Sequence, residues 1–321
     1  MTQLNIEKIN DNTWMIDIEL FGIKRVGALY LIKGDVSCLV DSGTKKEAKG
    51  LIRILDSMGA FPPDKLILTH SHWDHTQGVP TLCRKAEARG KHISVMASEK
   101  AISNLKDQSW NRVFDEKQQF ENIDNVEALT EGQIVDLGGV ALETIDFSGH
   151  CADDIALYDP KNKTIFIGDA LGYKIENKVL FPPFMPPFWH KAGFYAAVEK
   201  MRKLEFERIC LAHFGCLEGN DAEKFLDETV NAFETWWHIF ADADEKGKLE
   251  DIAYMKDRLM TEIGIELLDL EIGKASMRFM LSMVNAVKKT FGKKPVNVAE
   301  MQLQGIVDWL VKGYKGAAAR V

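Results

Sequence analysis

Residues 69–75 read Thr-His-Ser-His-Trp-Asp-His, the most informative stretch of the chain. Three of the eight histidines lie here, directly after the short apolar run KLIL. Such a run is typical of a buried strand, so the histidines occupy the loop at its carboxyl end. Residues two apart in extended backbone point to the same side, which directs His70 and His72 toward one point, while Asp74 and His75 can face a second. Imidazole and carboxylate groups suit zinc, iron or manganese rather than calcium.

Four other strand-like runs also end in an aspartate or a histidine, usually beside a glycine. The side chains concerned are Asp41, His150, Asp169 and His213. Ligand sites in α/β proteins form where the carboxyl ends of strands open into loops. We therefore predict that these four strand ends and the histidine-rich loop meet at one shared site.

The two parts of the chain differ in pattern. Up to residue 219, short β-branched runs alternate with helical stretches, which favours a layered α/β or α+β architecture. The predicted strands of this part cover residues 13–20, 27–32, 36–40, 65–69, 92–97, 140–147, 155–159, 163–168 and 208–213, and the predicted helices cover 45–58 and 79–89. Beyond it only helical patterns recur, at residues 226–240, 249–262, 275–291 and 298–312, followed by a tail predicted to be frayed. We predict a catalytic domain over residues 1–219 and an all-helical region over 220–321 that packs on it as a lid or a dimer interface.

Composition predicts a folded, soluble protein with 46% hydrophobic and 27% charged residues. The net charge is −8, and no basic stripe typical of nucleic-acid-binding proteins is visible, so nucleic acid is not an expected partner. Five cysteines without a CxxC pair argue against a disulfide framework. Because there is neither a signal-peptide pattern nor an apolar run of about 18 residues, we expect a cytoplasmic protein that acts on a small molecule and has no membrane partner.

The motif residues resemble, in order and approximate spacing, the five motifs of the metallo-β-lactamase superfamily. The resemblance is greater to its hydroxyacylglutathione-hydrolase (glyoxalase II) branch, because Asp74-His75 and the later Asp169 are all present. It covers roughly residues 1–219. It implies an αββα sandwich that holds two divalent metal ions, with zinc expected and iron or manganese as alternatives.

The same resemblance implies a role for each matched residue. The ligands of the first metal would be His70, His72 and His150. The ligands of the second would be Asp74, His75 and His213, with Asp169 bridging the two. Asp41 would orient the ligands. The implied reaction is hydrolysis, in which a hydroxide that bridges the metals, oriented by Asp74, attacks the carbonyl of a thioester, lactone or ester.

Residues outside the motifs are candidates for substrate contacts. The proline-rich stretch LFPPFMPPFW at residues 180–189 predicts an extended loop, which either overhangs the metals or packs on the helical region. The side chains predicted to form an apolar substrate pocket are Phe181, Phe184, Phe188 and Trp189. Tyr173 is predicted to donate a hydrogen bond to the substrate, with plain packing as the alternative. Lys174 and Lys178 are the only nearby cations that could hold the carboxylates of glutathione.

Two other functions remain open on the sequence. A mononuclear iron dioxygenase of the persulfide type shares the fold but commonly uses only the first metal site. A signalling protein similar to the quinolone-response protein also joins this fold to C-terminal helices and acts through binding. We favour the dinuclear hydrolase with a substrate whose acyl part is apolar, because it accounts for every matched ligand.

Overall fold

The computed structural model describes residues 6–273 and 275–319. Within these ranges, fifteen strands form two large sheets and one hairpin. The strands are β1 Ile6–Lys8, β2 Thr13–Asp17, β3 Ala28–Lys33, β4 Ser37–Val40, β5 Lys65–Leu68, β6 Ser94–Ser98, β7 Glu127–Leu129, β8 Ile134–Asp136, β9 Ala141–Asp146, β10 Ile155–Asp159, β11 Thr164–Gly168, β12 Tyr173–Ile175, β13 Val179–Phe181, β14 Arg208–Leu211 and β15 Gly215–Glu218. The α-helices are α1 Ala48–Ser57, α2 Trp73–Thr76, α3 Val79–Glu87, α4 Ile102–Lys106, α5 Lys191–Met201, α6 Asn220–Glu245, α7 Ile252–Glu262, α8 Ala275–Thr290 and α9 Val298–Ala318.

The first sheet contains β1 to β7 in chain order, antiparallel as far as β4 and parallel from β4 to β7. Its side chains alternate between two cores, because successive residues of a strand point to opposite faces. On β3, Tyr30 and Ile32 join the core shared with the second sheet, whereas Leu29 and Leu31 join the core beneath α1 and α3. The parallel pairing of β4 and β5 brings their carboxyl ends to one edge.

The second sheet has the order β15-β14-β11-β10-β9-β8, in which only β11 and β14 are parallel. β10 and β11 are buried at every position, so both faces of these central strands are covered. One buried cluster contains side chains from both sheets and from α5 and α6. The order of layers is therefore helix, sheet, sheet, helix, which confirms the predicted αββα sandwich followed by C-terminal helices.

An aromatic cluster joins the C-terminal helices to the sandwich. Phe233 of α6 stacks on Phe194 of α5, with ring centroids 4.2 Å apart. Tyr314 of α9 contacts Trp237 of α6 at 4.8 Å. In the described part of the chain, no helix combines the length and the apolar character that crossing a bilayer requires.

Three local predictions differ from the structure. The tail predicted to fray after residue 312 is helical as far as Ala318, because Tyr314 and Ala317 are buried. The stretch predicted to be a loop over residues 180–189 begins inside β13, which pairs with β12. Six strands were not predicted, namely β1, β7, β8, β12, β13 and β15, and all but β15 have only three residues, too few to show an alternation.

We expect Phe233→Ala to lower the free energy of unfolding by about 3–5 kcal/mol, since it removes a fully buried ring where α6 meets the sandwich. Phe279→Ala is the matched control, because the same change is made at a ring that is 67% exposed. It should alter the free energy of unfolding by less than about 0.5 kcal/mol. Urea denaturation measures both values, and equal losses would contradict the packing described for α6.

Candidate metal centre

The loop after β5 delivers four of the predicted ligands. β5 ends at Leu68, and His72 keeps an extended conformation, with φ −63° and ψ 148°, immediately before the short helix α2. That helix carries Asp74 and His75. The change from strand to helix within this short stretch lets successive side chains face two neighbouring points.

Three histidines form the first ligand group. His72 Nδ1 lies 3.0 Å from His70 Nε2 and 2.7 Å from His150 Nε2. All three rings are buried, and one nitrogen of each lies within 4.8 Å of the other two. Three imidazole nitrogens at this spacing can surround one cation.

Asp74, His75 and His213 form the second group, and Asp169 lies between the two groups. His213 Nε2 is 3.5 Å from Asp74 Oδ2. Asp169 Oδ2 is 3.5 Å from His75 Nε2 and 3.4 Å from His213 Nε2. The same oxygen is 3.9 Å from His150 Nε2 of the first group. Asp169 therefore reaches both groups, as a bridging ligand must.

Glycine precedes two of the ligands because the strand ends approach closely. A Cβ at Gly149 would lie 2.1 Å from a backbone carbonyl oxygen. Gly168 has φ +54°, and a Cβ there would lie 2.8 Å from Thr69 Oγ1. Any side chain at these positions would separate the backbone segments that carry His150 and Asp169.

Three of the histidines are oriented by hydrogen bonds on the side facing away from the site. The donor–acceptor pairs are His75 Nδ1 to Asp41 Oδ2 at 2.9 Å, His150 Nδ1 to the Pro183 carbonyl at 3.2 Å, and His213 Nδ1 to the Val26 carbonyl at 2.8 Å. Because Nδ1 must donate in each pair, a neutral ring presents the lone pair of Nε2 to the site.

Asp41 follows β4 and has φ 61°, a left-handed conformation that aspartate tolerates better than most residues. Its carboxylate accepts from the Thr69 backbone N–H at 2.8 Å, from Thr69 Oγ1 at 2.8 Å and from His75 Nδ1. The Thr69 hydroxyl in turn accepts from His70 Nδ1 at 3.1 Å. Asp41 thus orients one histidine of each ligand group, the first through Thr69.

Asp154 is a buried residue of the site that motif matching did not reveal. Its carboxylate accepts from the backbone N–H groups of His150, at 2.7 Å, and of Cys151. Its Oδ1 lies 3.7 Å from His70 Nδ1. Burial raises the pKa of Asp154 well above its usual value, against those two backbone hydrogen bonds. The available signal was an Asp-Asp pair placed directly before the apolar strand β10.

The ligands of the cluster differ in their protonation. Burial and the neighbouring imidazoles lower the pKa of His70 well below its usual value. Burial alone would raise the pKa of Asp74, but His75 and His213 outweigh it and lower the pKa to about 2. Burial opposes the charged form of His75, yet Asp169 and Asp74 raise its pKa well above the usual value. His70 is therefore neutral and Asp74 ionised, the forms that bind metal ions, whereas His75 would release a proton on binding one.

Three buried side-chain atoms of the ligand residues lack a hydrogen-bond partner within the described ranges. They are His72 Nε2, Asp169 Oδ1 and His75 Nε2, which lies 3.5 Å from Asp169 Oδ2. An unsatisfied buried polar atom costs about 1–3 kcal/mol, so a bound cation would relieve a real penalty. The nitrogen and oxygen donors suit zinc, iron or manganese. The residues present therefore fit a pair of metal ions.

Five of the seven ligands, His72, Asp74, His150, Asp169 and His213, line the floor of a cavity of about 920 Å³, counted with its open mouth. Its wall is largely apolar and is built by loops of the sandwich together with the C-terminal helices. Prominent wall residues are Phe114, Phe181, Leu268, Leu303, Ile306 and Trp309. Among the described residues, no lysine or arginine lines this cavity. A neutral, apolar group would fill it most favourably.

The proline-rich stretch contributes less to this cavity than expected. Of the predicted pocket residues, Phe181 lines the cavity. Phe184 and Trp189 do not, because both are fully buried and their rings pack together, 4.9 Å apart, against α6. Phe188 contacts Trp110 at 5.2 Å outside the cavity wall. Phe184 and Trp189 instead pack on the helical region, which was the alternative considered for this stretch.

Tyr173 lines the cavity beside the second ligand group. Its ring stacks on Phe181 at 5.2 Å and meets the His213 ring edge-on at 5.4 Å. Burial, and then the charges of Asp169 and Asp74, raise the pKa of Tyr173 well above its usual value. Its hydroxyl therefore stays protonated and can donate a hydrogen bond.

One side of the cavity is formed by α9, which belongs to the region predicted as a lid or a dimer interface, but none of its residues was assigned to the site by sequence. Leu303, Ile306 and Trp309 recur at intervals of three and share one face of the helix. Trp309 Nε1 donates to the Phe114 carbonyl oxygen at 3.1 Å. The apolar period of α9 was visible in the sequence, but such a period does not distinguish a cavity wall from a core.

Comparison with known proteins finds a matching family model and related sequences. The model of the metallo-beta-lactamase superfamily matches residues 24–213. A hydroxyacylglutathione hydrolase of Ruegeria pomeroyi is 30% identical over 135 residues, which cover 42% of this chain and 43% of that protein. A hydroxyacylglutathione hydrolase of Rhodopseudomonas palustris is 28% identical over 183 residues, or 56% of this chain and 60% of that protein. The matches thus span less than two thirds of either relative.

Solved structures show the same fold. A B3 metallo-beta-lactamase with an active-site glutamic acid aligns with a TM-score of 0.55 at 16% identity, covering 72% of this chain and 89% of that one. A flavo di-iron protein of Thermotoga maritima aligns with a TM-score of 0.55 at 18% identity, covering 72% of this chain and 62% of that one. At such identities the likeness concerns the fold alone.

The match over residues 24–213 contains every predicted ligand from the histidine-rich loop to His213. It confirms the resemblance inferred from the motif residues and agrees with the observed αββα sandwich. The chain belongs to the metallo-β-lactamase superfamily.

Proposed function

We propose that this protein is a metal-dependent hydrolase that cleaves a thioester, a lactone or another ester whose acyl part is apolar. The supporting observation is the convergence of seven ligand side chains, five of which line an apolar cavity. We propose zinc as the metal, with iron or manganese as alternatives. The complete second ligand group favours two metal ions over the mononuclear dioxygenase alternative.

The proposed reaction gives separate roles to the metal ligands, Asp74 and Tyr173. Two divalent ions held by the ligands would lower the pKa of a water molecule and polarise the substrate carbonyl. Asp74 contributes an ionised oxygen that holds one ion and can orient the attacking water. Tyr173 can donate its hydroxyl proton in a hydrogen bond to the carbonyl or to the leaving group. Within the described ranges no serine or cysteine lines the cavity, which fits attack by water rather than by a side chain.

The surroundings of the cavity do not favour glutathione as the leaving group. Lys174 is buried and pairs with Glu228 at 2.6 Å. Lys178 pairs with Glu176 at 3.1 Å, and neither lysine lines the cavity. The carboxylates of glutathione would therefore find no cation on the described cavity wall. We propose that contacts with the acyl part supply most of the binding energy.

The helical region is proposed to complete the site. α9 supplies Leu303, Ile306 and Trp309 to the wall opposite the sandwich. Trp309 is tied to the Phe114 carbonyl of the sandwich, which holds α9 over the ligands. The region over residues 220–321 thus acts as a fixed cover in this proposal, one of the two roles predicted for it.

Replacing His72 or Asp74 with alanine should lower kcat/KM by more than about a thousandfold, because metal-ion catalysis supplies several kcal/mol of barrier lowering. His238→Ala and Asp257→Ala are matched controls at exposed helical positions and should keep wild-type activity. Circular dichroism should show all four variants folded. Full activity in His72→Ala or Asp74→Ala would rule out the proposed use of this site.

The acyl part should govern substrate choice. We expect kcat/KM to rise roughly fourfold per added CH₂, up to the capacity of the cavity, since each buried CH₂ contributes about 0.8 kcal/mol. Trp309→Ala should weaken this dependence of kcat/KM on acyl length. Trp14→Ala should not, because Trp14 lies on β2 and does not line the cavity.

The thiol part should matter little. For one acyl group, the kcat/KM values of the glutathione and N-acetylcysteamine thioesters should agree within about threefold, since no cation lines the described wall. A strong preference for glutathione would contradict the proposal.

A further inference from the structure

Helix α8 is exposed to an unusual degree. Residues 275–290 form four complete turns, yet none of their described side chains is buried. The partly covered residues Met277, Leu281, Asn285 and Lys288 recur at intervals of four, four and three, which marks the face turned toward the protein. The remainder of the helix surface projects as a ridge.

The exposed side of this ridge is apolar. Its large apolar side chains, each between 42% and 73% exposed, are Phe279, Met280, Met283, Val284, Val287 and Phe291. At 3.6 residues per turn these six positions fall within an arc of roughly 140°. A contiguous apolar face of this kind on a soluble surface marks an interaction site.

The charge around the ridge has one sign. The chain carries a net charge of −8, but residues 273–299 contain no aspartate or glutamate. The basic residues of this segment are Lys274, Arg278, Lys288, Lys289, Lys293 and Lys294. Within the described ranges, the last four have no carboxylate within 4.0 Å, whereas the flanking acids Glu271 and Glu300 pair with Lys24 and Lys256.

We propose that α8 docks on the surface of a lipid bilayer that contains anionic lipids. Its apolar arc would enter the boundary between headgroups and acyl chains, and the exposed Lys289, Lys293 and Lys294 would contact the anionic headgroups. The net negative charge of the chain does not prevent this contact, because salt screens charges farther away than about 8 Å at physiological ionic strength.

A bilayer fits these features better than a second copy of the chain. Two α8 helices placed face to face would bring two sets of unpaired lysines together and repel each other. The apolar face is also a convex ridge rather than a groove, and a bilayer can deform around it. No crossing of the bilayer is involved, so the contact is compatible with the lack of a membrane-spanning helix in the described part of the chain. It differs from the sequence-based expectation of no membrane partner.

The docking surface adjoins the cavity. Leu268 and Leu270, shortly before α8, and Ala299 and Gln302, shortly after it, all line the cavity. Gly273 N–H donates to the Gly22 carbonyl at 2.8 Å and so fixes the start of the segment. Delivery of an acyl substrate from the bilayer to the cavity would rest on the proposed function, whereas docking itself does not.

Co-sedimentation of the purified full-length chain with vesicles tests the docking. We expect binding to phosphatidylcholine vesicles that contain about one third phosphatidylglycerol, and at least tenfold weaker binding to phosphatidylcholine alone. Raising the salt concentration from about 0.1 M to about 1 M should release the protein, because the screening length falls from about 10 Å to about 3 Å.

Two variants test the two parts of the surface. The apolar variant carries Phe279→Ser, Met283→Ser and Val287→Ser, and the basic variant carries Lys288→Gln, Lys289→Gln, Lys293→Gln and Lys294→Gln. Each should weaken vesicle binding by at least about tenfold. The controls are Ile134→Ser, which removes an exposed apolar residue of β8, and a charge-matched set, Lys46→Gln, Lys49→Gln, Arg53→Gln and Lys85→Gln. Both controls should bind as the wild type does.

Binding by His72→Ala at the wild-type level would separate docking from catalysis, so a failure of the proposed hydrolase activity would leave the docking result intact. Lack of binding to anionic vesicles overturns the proposal. So does binding that both α8 variants retain. A dimer in sedimentation velocity that the apolar variant dissociates, together with no vesicle binding, would assign the ridge to a second copy instead.

Discussion

The metal centre depends on the hydrogen bonds that the Asp41 carboxylate accepts. It is held at the end of β4 and accepts hydrogen bonds from Thr69 and from His75. Through the Thr69 hydroxyl it also orients His70. A single buried carboxylate therefore fixes the loop that carries four ligands against the edge of the first sheet. Because the parallel pair β4–β5 brings the two strand ends together, the fold itself places Asp41 beside its partners.

The C-terminal helices pack on the αββα sandwich and form part of the cavity wall. α6 packs on the sandwich through the buried ring of Phe233, and α9 lies over the ligands with Trp309 tied to Phe114. The resulting cavity is apolar, and its only charged or metal-binding side chains in the described ranges are ligands at the floor. Binding of an apolar group would thus be separated from the polar chemistry of bond cleavage. α8 lies exposed between these packed helices and carries both apolar side chains and lysines without a carboxylate partner among the described residues.

Sequence patterns predicted the parts of this structure that depend on local spacing. The strands that alternate between two cores, such as β3 with Tyr30 and Leu31, were visible, and so were the seven ligands at strand ends. Features that depend on packing between residues far apart in the sequence could not be predicted. Phe184 and Trp189 appeared equivalent to Phe181 in the proline-rich stretch, but only the structure shows that α6 covers the first two. Asp154 likewise gains its role from the burial that β10 and the loop after β9 impose on it. Helix α5 was left unassigned although its buried residues follow a helical period.

Anomalous X-ray scattering from crystals of the protein as purified would test the central claim most directly. We expect two metal peaks about 3.5–4 Å apart, as in other two-metal hydrolytic sites. One peak should contact the three histidines of the first group, the other should contact Asp74, His75 and His213, and Asp169 should contact both. A single peak, or two peaks with Asp169 bound to neither, would contradict a dinuclear centre built from these strand ends.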